Sequence, residues 1–278
     1  MQTDLQYSQL AEFNRTELEA AIRARVQTVH LGQGRVLARV LGGPKMFLSV
    51  DDLGFGCHLM LDGYWESWLT LFFARCVKPG MTVFDVGANF GYYTLLFGPA
   101  VGPSGRVIAI EPVPATVALL NDTVALNGLS GFTRVVAAAA GATSSIEIHL
   151  IVPHREPKNA AVVGAPQEGS IIVPSCTIDD LAAQLDRVDL VKIDVEGAEV
   201  DVIAGMRETI ERCRPAILLE YNAARYADPR AFLDLLLAAY GTVNNIGWDG
   251  APESVSPETI LTTRIGEDWM LFFSRTSD

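Results

Sequence analysis

The sequence predicts an α/β protein built on a doubly wound, mostly parallel sheet. Three observations carry that expectation. From Met81 onward, short apolar runs of strand length alternate with longer segments of helical period. A glycine-rich turn, Asp85-Val86-Gly87-Ala88-Asn89-Phe90-Gly91, follows the first of those runs. Acids recur at or near the C-terminal ends of four runs, as Asp85, Glu111, Asp194 and Glu220. Open parallel sheets hold their ligands at those ends.

Residues 1–60 read as a small N-terminal α/β extension. It is expected to hold a helix over Thr16–Arg25 and strands at Val26–Leu31 and Arg35–Leu41, turning at Gly32-Gln33-Gly34, with a third strand at Met46–Val50. Residues 61–278 read as the main domain. It opens with a helix whose residues Trp65, Trp68, Leu69, Phe72, Phe73 and Cys76 share one face, which predicts an amphipathic helix ended by Pro79-Gly80. Strands follow at Val83–Val86, Arg106–Ile110 and Val135–Ala139, with helices opening at Tyr92 and running through Val117, Leu120 and Val124. Residues 140–180 interrupt the rhythm as a β-rich insertion, with pieces at Ser145–Ile151 and Ile171–Val173. The strand Leu190–Ile193 resumes it, with one helix from Ala198 to Cys213. Then come the strand Ala216–Leu219, a helical stripe through Phe232, Leu235, Leu236 and Ala239, and closing strands within Thr242–Trp248 and Trp269–Ser274.

Composition narrows the function. Hydrophobic residues make up 49% of the 278, enough for a sizeable core. The net charge of -12 argues against nucleic acid and anionic membranes as partners, because both repel it. Cys57, Cys76, Cys176 and Cys213 show no metal-binding spacing and read as thiols of a reducing compartment. The N-terminus carries no secretory pattern, and no apolar stretch reaches the roughly 18 residues of a membrane span. A soluble, cytoplasmic protein is expected.

The loop at Asp85 specifies a ligand class. Gly87 and Gly91 let backbone approach a ligand closely. A dinucleotide site needs G-x-G-x-x-G for its pyrophosphate; here the spacing is G-x-x-x-G, and Asp85 stands in front of it. A carboxylate there repels a pyrophosphate and attracts a cation, by roughly 4 kcal/mol at 4 Å and an effective dielectric of 20. S-adenosylmethionine, with a sulfonium, an ammonium and no phosphate, meets that condition. Glu111, ending the next strand, suits the two ribose hydroxyls.

The segments MTVFDVGANFGYYTLLF, VIAIEPVP, VDLVKIDVEGAEVDVIAGM and PAILLEYN resemble the FkbM-type methyltransferases over roughly residues 60–222. The resemblance implies a seven-stranded Rossmann-like sheet with its last strand antiparallel, S-adenosylmethionine as cofactor, and O-methylation of small molecules such as sugars or secondary metabolites. Asp85, Gly87, Asn89 and Gly91 match the family's cofactor loop and Glu111 its ribose acid. Ala138 is expected near the adenine. Glu66 and Thr70 match an acid and a polar residue that precede the loop.

The later carboxylates point to the chemistry. Asp194 and Glu220 end the fourth and fifth strands, and Asn222 follows. These oxygen ligands suit Mg²⁺, which orients a hydroxyl and lowers its pKa. Asp194 is alternatively a general base. Glu196 and Glu199 read as partners of Lys192 or as helix caps. His58 is a second candidate base. Tyr64 and Tyr93 are candidate pocket walls, and Arg155 and Lys158 candidate contacts to an anionic acceptor in an otherwise exposed loop.

The leading expectation is a methyltransferase acting on a hydroxyl of a small-molecule acceptor. A carboxyl O-methyltransferase is the alternative; an NAD-dependent oxidoreductase or a non-catalytic nucleoside-binding protein ranks behind. The 1–60 extension is the candidate surface for a homodimer.

Overall fold

The computed structural model describes residues 3–163 and 165–275, with the Lys158 side chain outside the described set. Helices α1 (Tyr7–Leu10) and α2 (Arg15–Arg23) lead into an antiparallel sheet of β1 (Thr28–Gly32), β2 (Arg35–Arg39) and β3 (Lys45–Ser49). Asn14 starts α2 by accepting from the Glu17 amide, while the Glu17 carboxylate accepts in turn from the Asn14 amide. Helices α3 (Gly56–Asp62) and α4 (Ser67–Cys76) follow.

The alternating part begins with β4 (Thr82–Val86), α5 (Tyr92–Val101), β5 (Arg106–Glu111), α6 (Pro114–Leu126) and β6 (Thr133–Ala137). The insertion holds β7 (Ala139–Ala140), β8 (Glu147–Ile151), β9 (Ala161–Val163), β10 (Ser170–Cys176) and α7 (Ile178–Ala182). Then come β11 (Leu190–Ile193), α8 (Glu199–Ala204), α9 (Arg207–Cys213), β12 (Ala216–Tyr221), α10 (Pro229–Tyr240), β13 (Asn244–Ile246), β14 (Pro252–Ser254), α11 (Pro257–Thr262) and β15 (Trp269–Phe273).

The main sheet runs β14-β13-β15-β12-β11-β4-β5-β6. β4, β5, β6, β11 and β12 are parallel, and β15 is antiparallel to β12. This is the expected doubly wound sheet with its last strand antiparallel. It has eight strands rather than seven, because the short β14 folds back on β13.

The sheet is wound on both faces, and single strands show it. Val83 enters one core while its neighbours Phe84 and Val86 enter another; Val107 and Ala109 part from Ile108 and Ile110 in the same way. The first core also contains Leu18, Ile22, Met46 and Leu48, so residues 1–60 pack on the same face as α4, α5 and α6.

Two helices differ from expectation. α4 is not amphipathic: Ser67, Leu69, Thr70, Leu71, Phe72, Phe73 and Ala74 are all buried. The N-terminal segment covers the side that would otherwise face water; Tyr7 donates to the Phe73 carbonyl, and Arg75 to those of Ala11 and Phe13. The single helix expected over 198–213 is two. Gly205 lies so close to Gly141 that a Cβ would come within 2.0 Å of its carbonyl oxygen. Asp179 caps the second piece, accepting from the Thr209 amide and hydroxyl at 2.7 Å each.

The insertion forms a separate four-stranded sheet, β7-β10-β8-β9. It lies over the C-terminal ends of the main strands, where Leu150 and Val162 reach the cleft described next.

Candidate active site

A cleft of about 1020 Å³, counted out into the open solvent at its mouth, lies at the C-terminal ends of β4, β5, β11 and β12. One end is made by the turn after β4. Gly87 has φ +77°, and a Cβ there would sit 1.8 Å from the Asp194 carbonyl oxygen, so only glycine fits. The Gly87 and Ala88 amides both donate to the Ile110 carbonyl at 3.0 Å, which pins the turn to β5. Asn89 is left-handed at φ 50°, a conformation asparagine tolerates, and its side-chain oxygen accepts from the Phe90 amide at 2.8 Å. Gly91 turns the chain into α5, with Leu120 packed where a Cβ would go.

Glu111 lines this end and is 7% exposed. One carboxylate oxygen accepts from the Asn89 amide at 3.0 Å and the other from the Val113 amide at 2.9 Å. Burial pushes its pKa up to about 7 against the pull of those two amides. Each oxygen keeps a lone pair for a further donor, the arrangement a ribose diol requires. Ala138 lines the same end.

Asp85 is placed otherwise than the sequence suggests. It is fully buried and does not line the cleft. It lies behind the turn, where it accepts from the Thr94 hydroxyl at 2.6 Å and faces the Lys192 ammonium at 3.8 Å. Its role is to hold β4 to α5 and β11. Glu66, by contrast, enters the cleft and accepts from the Tyr93 hydroxyl at 2.6 Å. Thr70 stays out of the cleft and meets the Tyr92 hydroxyl at 2.9 Å, fixing that ring beside it.

The other end is charged. Asp194, Glu196 and Glu220 line it, with carboxylate oxygens within 4.8 Å of one another. Lys192 donates to Asp194 at 3.2 Å and lies 5.0 Å from the centre of the Tyr93 ring. Burial works against its charge, but Asp194, Asp85 and Glu66 outweigh that and hold its pKa above the ordinary value. Arg225 pairs with Glu220 at 2.7 Å and Glu196 at 3.0 Å. Burial, then the charges of Asp194 and Asp268, push Glu220 well above the usual carboxylate range against the pull of Arg225.

Several expected residues lie elsewhere. Asn222 is not with the acids: its amide donates to Asp268 at 2.9 Å and its oxygen accepts from the Ala224 amide at 3.0 Å, so both ends are used. His58 stands on the exposed side of α3, outside the cleft. Tyr64 is also outside, its hydroxyl taken by Arg23 at 2.5 Å. Arg155 is exposed and does not line the cleft, and the Lys158 side chain is outside the described set. Glu199 is structural: it is buried and accepts from the Gly197 amide and the Tyr226 hydroxyl.

Other residues enter without a sequence signal strong enough to select them. Phe55 and Trp65 line the cleft, with ring centres 5.1 Å apart. The helical-face reading hid Trp65, because the left-handed Glu66 starts the helix only at Ser67. Lys192 borders Asp85 through strand register, which the sequence does not display.

Comparison with known proteins gives the family. The chain is 28% identical over 179 residues to the 2-O-methyltransferase NoeI of Sinorhizobium fredii, covering 57% of this chain and 72% of that protein. It is 26% identical over 214 residues to the 31-O-demethyl-FK506 methyltransferase FkbM of Streptomyces tacrolimicus, covering 66% of this chain and 76% of that one. A protein-L-isoaspartate O-methyltransferase of Triticum aestivum is 35% identical over 94 residues, but the match spans only 32% of this chain and 37% of that protein. A solved methyltransferase FkbM from Methylobacillus flagellatus superposes on 74% of this chain with a TM-score of 0.47 and 19% identity; the match spans 47% of that longer chain. The family model described as the methyltransferase FkbM domain matches residues 85–241, and the chain belongs to that family of S-adenosylmethionine-dependent methyltransferases.

Proposed function

We propose that this protein transfers the methyl group of S-adenosylmethionine to a hydroxyl of a small molecule. The observation that carries the reading is the pairing of two unlike ends in one cleft. Glu111 and the glycine turn suit a ribose and a close-lying ligand, and Asp194 and Glu220 face the same space. The relatives named for O-methylation support the hydroxyl.

When bound, the cofactor supplies an electrophilic methyl on sulfur. The protein's task is alignment, holding the acceptor oxygen roughly 3–3.5 Å from that carbon and in line with the carbon–sulfur bond. In this reading Asp194, charge-paired with Lys192, would take the proton the acceptor hydroxyl loses as its oxygen gains the methyl and the carbon–sulfur bond breaks to leave the thioether. Glu66, held by the Tyr93 hydroxyl, would hold the cofactor's ammonium. Phe55, Trp65 and Leu150 would shield the transfer from water.

Mg²⁺ does not fit this donor set. Asn222 is spent on Asp268 and Ala224, and each member of the acid trio already faces a lysine or arginine. No step is routed through a metal, and EDTA is expected to leave turnover unchanged. The deciding test is calorimetry with S-adenosylmethionine, followed by labelled methyl transfer to a panel of hydroxylated and carboxylated acceptors. No cofactor binding at millimolar ligand would end the proposal. Methyl esters as the only products would replace the hydroxyl with a carboxyl.

A further inference from the structure

We propose that Arg225 is the resident cation of the acceptor end, a positioning residue that together with Lys192 supplies the two positive charges a divalent ion would otherwise bring. Three carboxylates whose oxygens approach within 4.8 Å need compensation when partly buried. Here two cations of the protein answer the three acids, so that each carboxylate faces a positive charge. Asp194 has Lys192 at 3.2 Å, Glu196 has Arg225 at 3.0 Å, and Glu220 has Arg225 at 2.7 Å.

The placement of Arg225 is itself built. It ends a short 3-10 turn, Ala223–Arg225, that follows β12 directly. Asn222 starts that turn by accepting from the Ala224 amide, and the same Asn222 donates to Asp268. Asp268, just before β15, lies 3.3 Å from the Arg225 guanidinium. The arginine therefore ties together the loop after β11, the end of β12 and the start of β15. A planar fork with five donors suits that task better than a lysine would. Asn222 thus acts beside the cleft, as a support for the guanidinium.

The arginine does not line the cleft; it stands behind Glu196 and Glu220 and leaves the space in front of them to the acceptor. A guanidinium neutralises from behind, whereas an ion would occupy the acceptor's own place. The arrangement keeps the acids of two strand ends at fixed separation without a diffusible ion.

The test uses the whole chain and two ionic probes, Mg²⁺ by calorimetry and Tb³⁺ by luminescence. Wild-type protein is expected to bind neither ion at this end, so Asp194→Asn leaves any weak surface binding unchanged. Arg225→Gln exposes the trio and is expected to bind both ions at least about 10-fold more tightly than wild type. Adding Glu196→Gln and Glu220→Gln to that variant removes the gain. Arg225→Lys, which keeps the charge, stays close to wild type in ion binding. Ion binding by the wild type that Asp194→Asn abolishes would overturn the proposal, and so would an Arg225→Gln variant that folds and gains no ion affinity. If Arg225→Gln does not fold, the wild-type and Asp194→Asn measurements still decide. A kinetic arm rests on the reading of this cleft as the site of transfer: turnover lost in Arg225→Gln returns in part in Arg225→Lys and not with added Mg²⁺, which would take the acceptor's place. The ion-binding arm does not rest on it, and cofactor calorimetry in the same samples separates the two failures.

Discussion

At the β4–β5 end of the cleft, backbone decides the geometry; at the β11–β12 end, charged side chains do. The first end is made of a glycine turn fixed by paired amide bonds to Ile110 and of a carboxylate held by two amides. The second is a set of carboxylates from a strand end, a loop and the next strand, kept apart by Lys192 and Arg225. Under the proposed function the difference matches what each end must do. A cofactor is constant, so its site gains from rigidity and from atoms that mutation can hardly move. An acceptor differs between relatives, and side chains are the part that evolution replaces most readily.

The contrast can be broken by substitution. The largest effect is expected from Asp194→Asn. Turnover should fall roughly 100- to 10,000-fold, the usual worth of a positioned base, with cofactor affinity nearly unchanged. Equal losses in both would mean that Asp194 serves the cofactor end. Gly87→Ala should do the reverse. Its Cβ meets a backbone oxygen at 1.8 Å and its φ is +77°, so binding of S-adenosylhomocysteine should weaken about 100-fold, ~2.7 kcal/mol, or the melting temperature should drop. Unchanged affinity and melting would show that the turn is not fixed as described.

Glu111 sharpens the comparison through pH. Its ordinary value is 4.5, and in the fold it is about 7. Between those values the folded chain holds more protons than the unfolded one, so this group's contribution to stability falls as pH rises through that window and is level above it. Ribose hydroxyls donate to the ionised form. Affinity for S-adenosylhomocysteine should therefore rise as pH climbs through 7, and Glu111→Gln should flatten that profile and lower affinity about tenfold. A profile that keeps its slope in the variant assigns the titration to another group. The smallest effect is expected from His58→Ala, which should change neither turnover nor cofactor affinity, since His58 is exposed and outside the cleft.

Much of the fold was legible because it rests on local rules. The strand at Leu190–Ile193 was readable to the residue, as a short run of three apolar residues and Lys192 set between Asp189 and Asp194. Gly87, Gly91 and Glu111 were readable because a tight strand-to-helix turn and the end of the next strand leave a spacing signature, whereas Asn89 and Ala138 came only with the family resemblance. What failed was direction. Asp85 looks like the mouth of the site, yet strand alternation turns it inward to Thr94 and Lys192. Asn222 looks like a ligand beside Glu220, yet it turns to Asp268. The break at Gly205 and the all-round burial of α4 come from Gly141 and from the N-terminal segment, both remote in sequence.

By itself, then, the amino-acid order determined the alternating architecture, the glycine turn and the family, because periodicity, turn chemistry and motif spacing are properties of neighbours along the chain. Only the tertiary structure decided which acids share the cleft and which cations answer them. Lys192 meets Asp85 through the pairing of β11 with β4, and Arg225 meets Glu196 and Asp268 across three separate segments. Charge pairing of that kind depends on distance in space, and register and strand order set that distance.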